Sequence, residues 1–188
     1  MFPYNPYDFY VPDAPLFELS SDDVQDGVTL PAAQLSKVYN VPGGEDKSPS
    51  LSWKGFPPET KSFVVTCYDP DAPVVSGFWH WIVYNLPATT TSLPKSAGDR
   101  PSDDPSDGTK TGLLPSGSQM IKNDAGWKGY LGAAAPPGHG PHRYIFAVFA
   151  LNVESLQLDS DTASPAVCHS RMRNAVIGKA FIAPIFER

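Results

Sequence analysis

Proline has no amide hydrogen and a fixed φ, so it breaks a helix interior and is excluded from the middle of a sheet ladder. This chain of 188 residues carries 21 prolines and 15 glycines, spread along its length rather than gathered into one tract. They cut the sequence into short segments, the rhythm of β-structure. Residues 16–19 and 50–53 alternate apolar with polar side chains, and residues 62–68 (SFVVTCY) form a β-branched and aromatic run too short for a typical helix. Residues 78–86 (FWHWIVYNL) and 143–153 (RYIFAVFALNV) are almost continuously apolar, which predicts central strands covered on both faces. Helical periodicity is confined to residues 166–180, where Ser164 and Pro165 supply a cap and a first-turn proline and Val167, Met172, Val176 and Ala180 share a face. Pro184 in the closing FIAPIF predicts an extended edge segment. The expected fold is mainly β, a β-sandwich with one C-terminal helix.

A composition 41% hydrophobic and 12% aromatic is ample for one core in a chain of this length. The expected organisation is an aromatic, proline-rich arm over residues 1–15 and a single domain over 16–188. A long Gly/Pro/Ser/Asp-rich surface loop is expected at about 95–118. The arm has two readings: disordered, or laid across the domain or a neighbouring subunit, in which case a homodimer would order it. Only Cys67 and Cys168 are present, with neither CxxC nor His-spaced ligand patterns, which disfavours a disulfide framework and a structural zinc. Fourteen basic against twenty acidic residues, without a Lys/Arg cluster, exclude nucleic acid as the expected partner. The N-terminus lacks the basic residue and apolar run of a signal peptide or membrane span, so the cytoplasm is the expected location.

The informative residues are polar ones set among apolar strands, because burial is costly unless they are partnered. Asp69, Asp71 and His80 in YDPDAPVVSGFWHW qualify, as do His142 and Arg143 in PHRY. Pro70 and Pro73 stiffen the backbone around the two acids. If strand geometry persists through Pro70 both carboxylates face one way; if it breaks there, they diverge. Arg143, pointing away from His142, is expected to pair with an aspartate of the DPDAP turn. His139 reads as an exposed or rim residue, His169 as a surface or capping residue, Asp124 as a turn former, and Trp79 and Trp81 as core or pocket wall.

The stretches GGEDKSPSLSWKGFPPETKSFVVTCYDPDAP, SGFWHWIVYNLP and GYLGAAAPPGHGPHRYIF, in this order, resemble the phosphatidylethanolamine-binding protein family. The resemblance is to its bacterial and archaeal branch of Raf-kinase-inhibitor-like proteins, and it runs from about Leu16 to the C-terminal segment. It implies a Greek-key β-sandwich with a small pocket for an anion such as phosphate or a phospholipid head group. Carried over residue by residue, Asp69, Asp71 and Pro73 fall on the DPDAP pocket motif, His80 on the first pocket histidine, and His142 and Tyr144 on the HRY motif. Ala134 and Ala135 stand where many relatives have a pocket glycine. The resemblance also implies inhibition of a kinase or a protease as a partner-directed role.

Two histidines can donate to a phosphate, and a carboxylate behind an imidazole fixes its tautomer and supports its charge. This favours a binding protein without catalytic residues, cofactor or metal. The same acids and histidines suit a hydrolase, but the chain lacks a GxSxG elbow and HExxH spacing. A third reading is an interaction module whose pocket is vestigial and whose arm and long loop do the binding.

Overall fold

The structure is a computed structural model describing residues 5–100 and 113–188. Three short strands, β1 (Glu18–Ser20), β2 (Leu51–Lys54) and β5 (Ser92–Leu93), form one antiparallel sheet in the order β1-β2-β5. A larger antiparallel sheet centres on β3 (Ser62–Asp69), flanked by β4 (Phe78–Pro87) and β8 (Ile145–Leu151). Its edges are β6 (Gln119–Met120), beside β4, and β9 (Val176–Ile182), beside β8. A two-stranded pair of β7 (His142–Arg143) and β10 (Ile185–Phe186) completes the mainly β architecture.

The apolar runs are central strands because both of their faces are covered. Along β8, Phe146, Val148 and Ala150 point into the core between the sheets, with Trp53, Phe63, Val65 and Trp81. Ile145, Ala147, Phe149 and Leu151 alternate onto the opposite face. That outer face lies under helix α2 (Pro165–Met172) and the N-terminal arm, whose helix α1 (Tyr7–Tyr10) is one turn long. Cys67 and Cys168 are free and buried in the two different cores, on opposite sides of the large sheet.

The arm is therefore part of the packing. Tyr7 is 3% exposed, meets Phe149 edge to face and shares a hydrogen bond of 3.0 Å with the Thr66 hydroxyl. The buried Lys179 ammonium donates to the carbonyls of Tyr7 and Val11, which also accept the Val11 and Ala14 amides. His169, expected at the surface, is buried among Tyr7, Tyr10, Trp79 and Phe149. Its Nδ1–H donates to the Pro165 carbonyl, and its own carbonyl accepts from the Tyr10 hydroxyl.

Two further expectations change. Ser164 caps α2 through the Val167 amide as expected, but the helix ends at Met172 and residues 176–182 are strand β9, not helix. The spacing of Met172, Val176 and Ala180 is four, a multiple of both the strand period and nearly the helical one. The β-branched and aromatic residues Val176, Ile177, Phe181 and Ile182 then favour the free edge of β8. The segment from Lys95, expected to open a surface loop, is anchored: Lys95 pairs with Asp23, and the Asp99 carboxylate accepts from Lys47 and the Ser48 amide. Gly98 lies so close to Trp81 that an added Cβ would sit 2.3 Å from the indole. The remainder of the expected loop, residues 101–112, falls outside the described residues.

Truncating Tyr7 to Ala should destabilise the fold by about 3–5 kcal/mol, the cost of emptying a buried aromatic site, and Tyr7→Phe by about 1 kcal/mol for the lost hydrogen bond. Urea unfolding of the three proteins measures both.

Candidate functional site

β3 ends at Asp69, still in register with Phe78 of β4, and the chain turns at Pro70. The turn is locked by the Asp69 side chain, whose Oδ1 accepts the Asp71 amide at 2.8 Å. The two carboxylates consequently diverge. Asp69 Oδ2 accepts from His142 Nδ1 at 2.7 Å, both side chains being almost fully buried. Asp71 is gripped by Arg143, which donates Nε at 2.7 Å, a terminal nitrogen at 2.9 Å and its main-chain amide at 3.0 Å. The ion pair expected of Arg143 is this forked one. It holds the DPDAP turn against β7, and Asp71 does not reach the cavity wall.

The cavity beside this turn has a volume of about 220 Å³. Asp69, Pro73, His80, His142 and Tyr144 line it, so the structure brings together five of the six residues singled out from the sequence. Its other walls are apolar, from Val74, Phe78, Ala134, Ala135 and Pro136, with Tyr39 at the mouth. Among the described residues no group of three or more His, Cys, Asp or Glu side chains is arranged to hold a metal ion.

His80 reaches this wall because the β3–β4 ladder is irregular there. Cys67 pairs with Trp81 and Tyr68 with Trp79, leaving His80 as the extra residue of a β-bulge. The bulge breaks the simple alternation of the strand. Trp79 packs on the outer face against Tyr68 and His169, Trp81 packs in the inner core, and neither lines the cavity. The rings flanking His80 are Phe78 and Tyr144, with centroids 5.0 and 5.1 Å away.

His80 is held by both ends of one residue: its carbonyl accepts the Leu131 amide, and its Nδ1–H donates to the Leu131 carbonyl at 2.8 Å. Burial, reinforced by neighbouring His142, pushes its pKa down to about 4. Burial favours the neutral ring. Its Nε2 makes no hydrogen bond to a described residue. Burial also raises the pKa of Asp69 and keeps Tyr144 protonated.

One participant was not singled out. His139, exposed in the glycine-rich turn, places Nδ1 2.8 Å from His142 Nε2. Asp69, His142 and His139 thus form a hydrogen-bonded chain from the buried strand end to solvent. The signal in the sequence is GHGPH: Gly138 and Gly140 have φ of +75° and +89°, and these left-handed turns fold His139 back over His142. Asp124 also does more than form a turn, since its carboxylate accepts the Trp79 amide and tethers the start of β4.

The family pattern described as Phosphatidylethanolamine-binding protein matches residues 20–187. The chain belongs to the phosphatidylethanolamine-binding protein family. It is similar to two proteins of Escherichia coli strain K12. It is 42% identical to UPF0098 protein YbcL, over 93% of this chain and 89% of the relative, and 44% identical to UPF0098 protein YbhB, over 90% and 99%. The crystal structure of E. coli YbcL, described as a new member of the mammalian family, superposes with a TM-score of 0.82 at 41% identity, covering 92% of this chain and 98% of that one. A Chlamydia trachomatis homologue, CT736, follows at a TM-score of 0.70 and 26% identity, with 93% and 99% covered. Among the described residues no helix is long and apolar enough to cross a membrane.

The two buried neutral histidines give acid lability. Folded His80 and His169 both titrate at about 4, whereas an unfolded imidazole titrates near 6.5. Between those values the unfolded chain binds more protons, so stability is full above pH 6.5 and falls as pH drops toward 4, by on the order of 3 kcal/mol per histidine. Denaturant midpoints measured from pH 7 to 4.5 should show this loss, and His169→Phe should flatten the slope by removing one contributor.

Proposed function

We propose that the cavity binds a small anionic group, a phosphate or the phosphate of a phospholipid head group or other phosphorylated ligand. The observation supporting this is the convergence of His80, the Asp69–His142 pair and Tyr144 on one wall of a cavity that is otherwise apolar. Asp69 is committed on both oxygens, to the Asp71 amide and to His142. It acts from behind the ring, fixing the tautomer and orientation of His142. His142 Nε2 and the Tyr144 hydroxyl are the groups that meet the anion, and Pro73 with Val74 and Phe78 shapes its surroundings. Asp71 contributes by bracing the turn through Arg143.

Binding is favoured over hydrolysis by the composition of the wall. Among the described residues it offers no thiol, amine, serine or threonine hydroxyl for a covalent step. Both cysteines lie buried with pKa values pushed up by that burial. Inhibition of a kinase or a protease fits the same cavity if the anion is carried by a protein partner.

Calorimetry with inorganic phosphate and phosphoethanolamine tests the assignment. Removing a charge-assisted donor should weaken binding about ten- to a hundredfold in His142→Ala. Equal affinity of the wild type and the variant would remove the cavity as the anion site.

A further inference from the structure

The GHGPH turn sets two imidazole nitrogens side by side at the edge of the cavity. His139 Nδ1 lies 2.8 Å from His142 Nε2, with the ring planes inclined at 69°. Asp69 decides where the hydrogens are. A carboxylate only accepts, so His142 carries its hydrogen on Nδ1, toward Asp69 Oδ2, and turns the Nε2 lone pair outward. The hydrogen between the two rings therefore belongs to His139. That ring is exposed, whereas His142 is 1% exposed.

We propose that His139 and His142 form a two-imidazole site for a late first-row transition-metal dication, Cu2+ above all. Two nitrogens sharing a right-angled edge of a coordination sphere stand about 2.9 Å apart when the metal–nitrogen bonds are about 2.0–2.1 Å. The two rings already keep that spacing, so only a direction has to change. The exposed His139 pivots off the line of its hydrogen bond while the buried His142 stays fixed. The carboxylate behind His142 is the partner that metal-bound histidines regularly have, holding the ring by Nδ1–H and raising the basicity of Nε2. Binding releases no net proton from the neutral pair: the hydrogen on His139 Nδ1 passes through solvent to its own Nε2, and two lone pairs face the metal. The site is independent of whether the cavity also takes an anion.

The backbone that carries the pair is pinned on both sides. Gly138 and Gly140 hold φ of +75° and +89°, the His139 amide donates to the Pro136 carbonyl, and the Gly138 amide donates to the Arg188 carbonyl. Pro141 stiffens the step to His142, which β7 pairs against Phe186 of β10. Among the described residues no third His, Cys, Asp or Glu joins the pair, so the remaining positions on the metal are left to water or a small ligand. Such an open site exchanges its ion readily. Imidazole nitrogens select in the order Cu2+ ahead of Ni2+ and Zn2+, while Mg2+ and Ca2+ demand oxygen ligands and pass it by. The other two histidines do not compete, because His80 and His169 lie buried with Nδ1 committed to main-chain carbonyls.

The test is a titration of the chelator-treated full chain with Cu2+, Zn2+ and Mg2+ in a phosphate-free, weakly coordinating buffer, followed by calorimetry and, for Cu2+, by electron paramagnetic resonance. One Cu2+ should bind per chain, at least about tenfold tighter than Zn2+, and Mg2+ should give no heat. The Cu2+ spectrum should carry the hyperfine signature of two imidazole nitrogens. His139→Gln removes one ligand from an exposed turn; it should weaken Cu2+ at least about tenfold and leave the signature of a single nitrogen. Asp69→Asn, which takes the charge from behind His142, should weaken Cu2+ by about ten- to a hundredfold with both nitrogens still bound. Equal Cu2+ affinity of the wild type and His139→Gln would overturn the site, as would a wild-type spectrum with fewer than two imidazole nitrogens. The His139 comparison decides the matter even if the Asp69 variant does not fold.

Discussion

The buried hydrogen bond from His142 Nδ1 to Asp69 Oδ2 joins the end of the central strand to the start of β7, two points 73 residues apart. Neither group could remain there alone, because a desolvated carboxylate without donors and an imidazole without a fixed partner would each cost several kcal/mol. The carboxylate's other oxygen holds the Asp71 amide, so the bond also fixes the turn from which Asp71 reaches Arg143. A single aspartate thereby sets the tautomer of one pocket histidine, the shape of the pocket wall and the position of the neighbouring ion pair.

Much of the fold was legible because hydrophobic runs are a strong signal. The runs at 62–68, 78–86 and 143–153 became β3, β4 and the β7–β8 region, and their lack of alternation reflected two covered faces. The end of the helix was not legible. Met172, Val176 and Ala180 fall at a spacing that a helix face and a strand face both satisfy, and only the vacant edge of β8 decides between them. The site was legible as a set of residues and less so as geometry. A proline after Asp69 could either preserve or break the strand, and the divergence of the two acids depended on which. The bulge at His80 leaves no mark in composition, yet it is why the histidine points into the cavity while the adjacent tryptophans enter two separate cores. His139 was passed over because exposure in a glycine-rich turn is usually innocuous, and the left-handed backbone that folds it onto His142 is visible only in three dimensions.

The large sheet separates two tasks by its faces. The outer face is sealed by α1, α2 and the aromatic nest around His169, with Lys179 tying the arm down through main-chain carbonyls. The cavity opens where β3, β4 and β7 meet the 131–141 turn, and among the described residues its lining shares none with that seal. The arm meets the cavity at one remove, through β3 and Trp79, whereas the DPDAP turn and the 131–141 turn act on it directly.

A permanently charged His80 would attract any anion small enough to enter, with little regard for its chemistry. The fold prevents this twice over. The bulge buries the ring between Phe78 and Tyr144, where charge is disfavoured, and Leu131 takes the one proton that the neutral ring must keep. His142 is held differently, its Nδ1–H donated to the buried Asp69 carboxylate, so the two histidines of one pocket are oriented by different partners. The division follows from what stands behind each ring, a carbonyl for one and a carboxylate for the other.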